Sequence, residues 1–131
     1  LFVIVPESHP LAEKDEIHLK EIEGESFISI KRGNSLRQIV DELLKKGGVT
    51  AKTMYAGEEM HTVAGFVAAG LGVSIIPNIK GLDYFNVKKL SVTWPKCERK
   101  IGLAWAKDRY MSPAANEFKE FLISYFKGDD E

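Results

Sequence analysis

The chain is 131 residues long and carries 18 Lys+Arg against 19 Asp+Glu, one cysteine and 44% hydrophobic residues. That length can bury a core of its own, and the composition excludes a disordered chain. No run approaches the ~18 apolar residues of a membrane-spanning helix. Cys97 alone allows no internal disulfide. A net charge of -1 lacks the basic field by which nucleic-acid binders hold phosphates.

Leu1-Phe2-Val3-Ile4-Val5 is continuously apolar and ends at Pro6, the pattern of a strand buried on both faces. It has no basic flank or small-residue cleavage site, so it is no signal peptide. It reads as a strand whose upstream sequence has been cut away. Residues 7–25 hold Glu7, Glu13, Asp15, Glu16, Glu21, Glu23 and Glu25 against Lys14 and Lys20. They read as a solvated loop with a short helical turn. Phe27-Ile28-Ser29-Ile30 is a short strand, followed by a turn at Lys31-Arg32-Gly33-Asn34.

Leu36, Ile39, Val40, Leu43 and Leu44 then repeat on one helical face. Ser35 and Gln38 have capping-box spacing, Lys45 and Lys46 suit the helix end, and Gly47-Gly48 supplies the left-handed stop. Residues 51–56 are a strand. A second helix runs from His61 to Ala69, with Gly70 and Leu71 placed for a Schellman turn. Val73 to Ile76 is a strand ended by Pro77, and residues 78–86 are loop or a short helix. Val87 to Thr93 and Ile101 to Ala106 are strands. Ser112-Pro113 opens the last helix, whose face is Ala114, Phe118, Phe121, Leu122 and Tyr125. The tail Gly128-Asp129-Asp130-Glu131 is expected to fray. Alternating strands and helices predict a mostly parallel sheet covered by helices.

The chemical inventory is sparse. There is no nucleophile elbow and no phosphate-binding glycine loop. His9, His18, His61 and Cys97 share no metal-ligand spacing. Gly70-Leu71-Gly72 leaves a helix and enters a strand, the reverse of a dinucleotide fingerprint. Cys97 between Lys96, Glu98 and Arg99 lacks a placed base. Trp94, Trp105 and Phe85 suit packing better than a stacking platform.

The richest segment is Ser29 to Arg37. A strand delivers the chain to a glycine turn, and a capped helix starts at once. First-turn N–H groups of a helix point outward and hold anions. Lys31, Arg32 and Arg37 add charge; Asn34 and Ser35 add polar groups. A capped helix with solvated basic residues explains the same pattern without a ligand. A second helix start, Glu58-Glu59-Met60-His61-Thr62, offers His61 and Thr62; a surface histidine beside a helix end is its plain alternative. Both starts follow strands, and ligands of open α/β sheets bind at the carboxyl ends of strands.

Val3-Ile4-Val5-Pro6, His9-Pro10-Leu11-Ala12, Phe27-Ile28 and Val67-Ala68-Ala69-Gly70-Leu71-Gly72-Val73 through Ile76-Pro77 occur in an order that resembles the effector-binding domain of LysR-type transcriptional regulators. The likeness runs from Leu1 to about Phe126. It implies an α/β fold like type 2 periplasmic binding proteins, here one complete lobe plus part of the second. Residues 7–86 would form lobe II. Residues 1–6 and 87–131 would supply the crossover strands and the C-terminal part of lobe I. The resemblance implies a small-molecule effector held between the lobes, with lobe II contacts at Lys31, Gly33, Asn34, Ser35, Met60, His61 and Thr62. The basic turn suggests a small anion. The resemblance implies no catalytic residue, metal or cofactor, and a cytoplasmic location away from membranes. DNA would be read by an N-terminal helix-turn-helix domain outside this chain, so the fragment itself is expected to bind no nucleic acid. Unpaired apolar edges predict a homo-oligomer. A periplasmic solute-binding protein, or a dehydratase-like enzyme using Glu58, Glu59 or His61, stands as the alternative on the same scaffold.

Overall fold

The computed structural model describes residues 1–127; the tail expected to fray lies outside them. Contacts divide the chain into two compact units, Leu1–Lys100 and Ile101–Glu131.

The first unit is built on β1 (Phe2–Pro6). Val3 and Val5 pack into one core cluster and Ile4 into the other, so the continuous apolar run is buried on both faces. β1 is paired on both sides in a four-stranded sheet of order β2-β6-β1-β5, with β2 at Glu16–His18, β5 at Ser74–Ile76 and β6 at Val87–Trp94. Both neighbours of β1 run antiparallel to it; β2 runs parallel to β6. A second sheet pairs β3 (Ser26–Ile30) with β4 (Lys52–Gly57) in parallel. A single parallel bridge, Phe27 to Val73, ties β3 to the residue ahead of β5. The expectation of a mostly parallel sheet therefore needs correction. A single crossover helix makes β3–β4 parallel, but β5 and β6 both run antiparallel to β1.

Helix α1 (Ser35–Lys46) buries Leu36, Val40, Leu43 and Leu44. Its N-cap is Asn34 rather than Ser35: the Asn34 side chain accepts from Leu36 N–H at 2.9 Å. The glycine stop is a complete Schellman turn. Gly48 N–H donates to Lys45 O at 3.1 Å and Val49 N–H to Leu44 O at 2.9 Å, with Gly48 at φ +68°. Helix α2 (Met60–Ala68) ends in the same way. Gly70 N–H donates to Val67 O at 2.9 Å and Leu71 N–H to Phe66 O at 3.1 Å. Its Val63, Ala64 and Val67 pack with Ile28 and Ile76.

Residues 7–25 are more than solvated loop. They form β2 and two 3-10 turns, Pro10–Glu13 and Leu19–Ile22, and they bury Ile17, Leu19 and Ile22 in the core. Their acids stay on the surface, where Glu21 and Lys14 pair. A third 3-10 turn, Leu82–Tyr84, fills the stretch ahead of β6.

In the second unit, α3 (Pro113–Phe126) starts where Ser112 Oγ accepts from Ala115 N–H at 3.2 Å. No residue of α3 is buried. Residues 101–106 form no strand, which corrects the expectation for Ile101 to Ala106. A strand needs a neighbour to take its backbone hydrogen bonds, and the described residues of this unit hold no other strand. Ile101, Leu103, Leu122, Ile123 and Phe126 instead line an apolar hollow of about 510 Å³. The Lys119 ammonium lies 4.8 Å from the Trp105 ring centre.

Candidate ligand site at the β3–β4 edge

The parallel pairing of β3 and β4 sets Ile30 opposite Gly57. Lys31 N–H extends the ladder, donating to Gly57 O at 2.9 Å. The chain therefore leaves both strands at one sheet edge, and α1 and α2 both begin there. The second exit passes close to α2: a Cβ on Gly57 would stand 2.9 Å from Val63 Cγ2.

After β3 the chain turns through Gly33 at φ +96°, a left-handed conformation that glycine adopts freely. Gly33, Asn34 and Ser35 line an open depression of about 560 Å³ with Arg32, Arg37 and Lys45. Lys31, Met60, His61 and Thr62 are not among its lining residues. Asn34 is committed to capping α1. Arg37 is folded back: its guanidinium donates to Ile30 O at 2.9 Å and to both Asp41 oxygens at 3.0 and 2.9 Å.

At α2, Glu59 occupies the N-cap position but makes no side-chain capping bond. The first-turn N–H groups thus keep their capacity to donate. Met60 is half-buried against both core clusters. His61 is exposed, with Nε2 3.1 Å from Lys80 O and its ring 6.1 Å from that of Phe85. Thr62 is exposed. Lys31 forms an ion pair with Glu58. The hydrogen bond between them raises the Lys31 pKa and lowers that of Glu58.

Sequence reasoning passed over Ser29. Its side chain is 2% exposed and its hydroxyl has no hydrogen-bond partner among the described residues. Ser74, the other buried serine, is satisfied: its Oγ donates to Ile28 O at 2.6 Å. The signal was present in the sequence, since both serines interrupt apolar strands, but nothing local tells the satisfied one from the orphan.

The remaining candidates have structural partners. His9 and His18 each cap a 3-10 turn through Nδ1, accepting from Leu11 N–H at 3.0 Å and Lys20 N–H at 3.2 Å. Glu21 completes a capping box by accepting from His18 N–H at 2.9 Å. Trp94 is half-exposed and stacks on His18 at 5.4 Å, and Trp105 is also half-exposed. Phe85 packs at the edge of the α2 cluster. Burial pushes the Cys97 thiol pKa up, which disfavours the reactive thiolate. No group of His, Cys, Asp or Glu suited to a metal occurs among the described residues. No helix among them is long and apolar enough to cross a membrane.

Two sheets tied where β3 meets the segment entering β5, with helices starting at one shared edge, define the type 2 periplasmic-binding-protein-like fold, and solved structures agree. The effector-binding domain of QuiR in complex with shikimate superposes with a TM-score of 0.90 at 38% identity, over 97% of this chain and 61% of that one. The regulatory domain of Synechocystis PCC6803 CcmR in complex with 2-PG shares the fold, with a TM-score of 0.78 at 20% identity over 95% of this chain and 61% of that one. The family model described as the LysR substrate binding domain matches residues 1–127, and the chain belongs to that family. Among its relatives, the HTH-type transcriptional regulator YybE of Bacillus subtilis is 53% identical over 96% of this chain. The transcriptional dual regulator GltC of the same organism is 30% identical over 96% of it. The chain spans 43% of the length of each of these regulators.

Proposed function

We propose that the chain is the effector-sensing part of a LysR-type transcription regulator and that it takes a small carboxylate at the β3–β4 edge. The observation that carries this reading is the shared edge itself. Lys31, Gly33, Asn34 and Ser35 leave β3 where Met60, His61 and Thr62 leave β4, and α2 has no side-chain cap. Donors from two helix starts and a nearby cation suit an anion. The 38% identity to a domain that holds shikimate supports a hydroxylated carboxylate as the class.

In this reading residues 7–86 form lobe II, while residues 1–6 and 87–131 belong to the crossovers and lobe I. The effector shifts the intact regulator between states only by its differential affinity for them. The intact regulator is cytoplasmic and contacts DNA through a helix-turn-helix segment outside the described residues. The chain acts by binding rather than turnover, as its regulator relatives suggest. It self-associates through apolar side chains such as Ile101 and Phe121, exposed at 82% and 59%. Concentration-dependent mass in light scattering is the expected sign; a monomer at high concentration removes this part.

Calorimetric titration with shikimate and a panel of simple carboxylates tests the site. The double variant Lys31→Ala, Ser35→Ala is expected to bind about tenfold more weakly, or 1.4 kcal/mol. Equal affinity for the variant and the parent rejects the assignment.

A further inference from the structure

Resting on that reading, we infer that Glu58 is a resident competitor for the effector carboxylate, holding Lys31 until an incoming anion displaces it. Lys31 and Glu58 each lie one residue beyond paired strand ends, Ile30 and Gly57. The Lys31 N–H bond to Gly57 O fixes the two backbones beside each other. Their side chains form the ion pair. The other cation of this turn with an assigned partner, Arg37, is held by Asp41 and Ile30 O. Glu58 also precedes the uncapped start of α2, where the helix field favours a negative charge.

The protein thus carries its own carboxylate where the proposed ligand carboxylate would go. Exchange leaves the number of ion pairs unchanged. Glu58, 70% exposed along its side chain, returns to water at little cost. The Lys31 charge then adds less affinity than an unpaired lysine would, and selectivity rests more on the other polar groups of the ligand. A neutral residue at 58 would release that charge and strengthen binding of carboxylates in general. Exposed ion pairs contribute little, so the gain is a factor of at most about five.

The test is a nuclear magnetic resonance titration of the wild-type chain, Glu58→Gln, Lys31→Ala and the double variant. Shikimate and acetate are the probes. Backbone amides of Lys31, Gly33, Met60, His61 and Thr62 give the readout. Glu58→Gln is expected to lower the midpoint for both acids by about two- to fivefold. The gain should vanish in the Lys31→Ala background. Equal midpoints for Glu58→Gln and wild type overturn the inference while leaving the binding site intact. A gain that persists without Lys31 also overturns it, since Glu58 then acts as diffuse charge. If no amide at either turn responds in any variant, the site reading falls and the inference with it.

Discussion

Gly72 lies so near Ser26 that a Cβ on it would stand 2.4 Å from the Ser26 carbonyl oxygen. That oxygen accepts from Val73 N–H at 2.9 Å, and Ile28 N–H donates to Val73 O at 2.8 Å. The contact fastens β3 to the segment entering β5. Gly70, two residues earlier, has open space around it but sits at φ +80°. One glycine is needed for room and the other for its backbone angle. Gly72→Ala is expected to cost about 3 kcal/mol, because the obstacle is backbone and cannot rotate away. Gly70→Ala should cost about 1–2 kcal/mol. Urea denaturation of the two variants gives the comparison, and equal losses contradict the assignment.

The cap of α1 offers a second comparison. Asn34 makes the capping bond and Ser35 is the first helical residue. Asn34→Ala should cost about 1 kcal/mol. Ser35→Ala should fall within about 0.5 kcal/mol of the parent, as an exposed substitution without a capping role. The reverse order would restore Ser35 as the cap. The pair also helps to separate stability from binding, because a loss of carboxylate affinity in Ser35→Ala then has no folding component.

These two cases show where local pattern carried and where it stopped. β1 was legible because five apolar residues in a row leave no polar face, and both faces are covered. The glycine stops of α1 and α2 were legible because a Schellman turn is local chemistry. The cap slipped by one residue because Asn34 and Ser35 are both good caps. Residues 7–25 were misread because seven acids mask three spaced core residues, Ile17, Leu19 and Ile22. Strand direction was misread because it depends on which distant segments meet β1, and no local spacing encodes that. At the site, the turn at Gly33 could be found by residue type. The Lys31–Glu58 pair could not, since it needs β3 beside β4 in one register.

Arg37 gives a third prediction. It was expected to contribute free charge to the turn, but its guanidinium bonds Asp41 and Ile30 O. Arg37→Ala is therefore expected to destabilise the chain by about 1 kcal/mol through the lost bond to the strand-end carbonyl. It should leave carboxylate affinity within about twofold of the parent. A large affinity loss with unchanged stability would place Arg37 in the ligand shell instead.

The last prediction concerns acid. Hydrogen bonding from Lys14, then from the His18 N–H, lowers the Glu21 pKa below its ordinary value of 4.5. A carboxyl whose folded pKa is depressed binds its proton less readily in the folded state than in the unfolded one. Its contribution is full above the unfolded value and is lost as pH falls through the folded value. Glu21→Gln removes that contribution at neutral pH and has nothing further to lose in acid. The stability gap between wild type and Glu21→Gln should therefore be open near pH 6 and close toward about pH 3. Urea midpoints across that range measure it. A gap independent of pH would mean that the Glu21 carboxylate is not what holds the Leu19–Ile22 turn, and that His18 caps it alone through Nδ1.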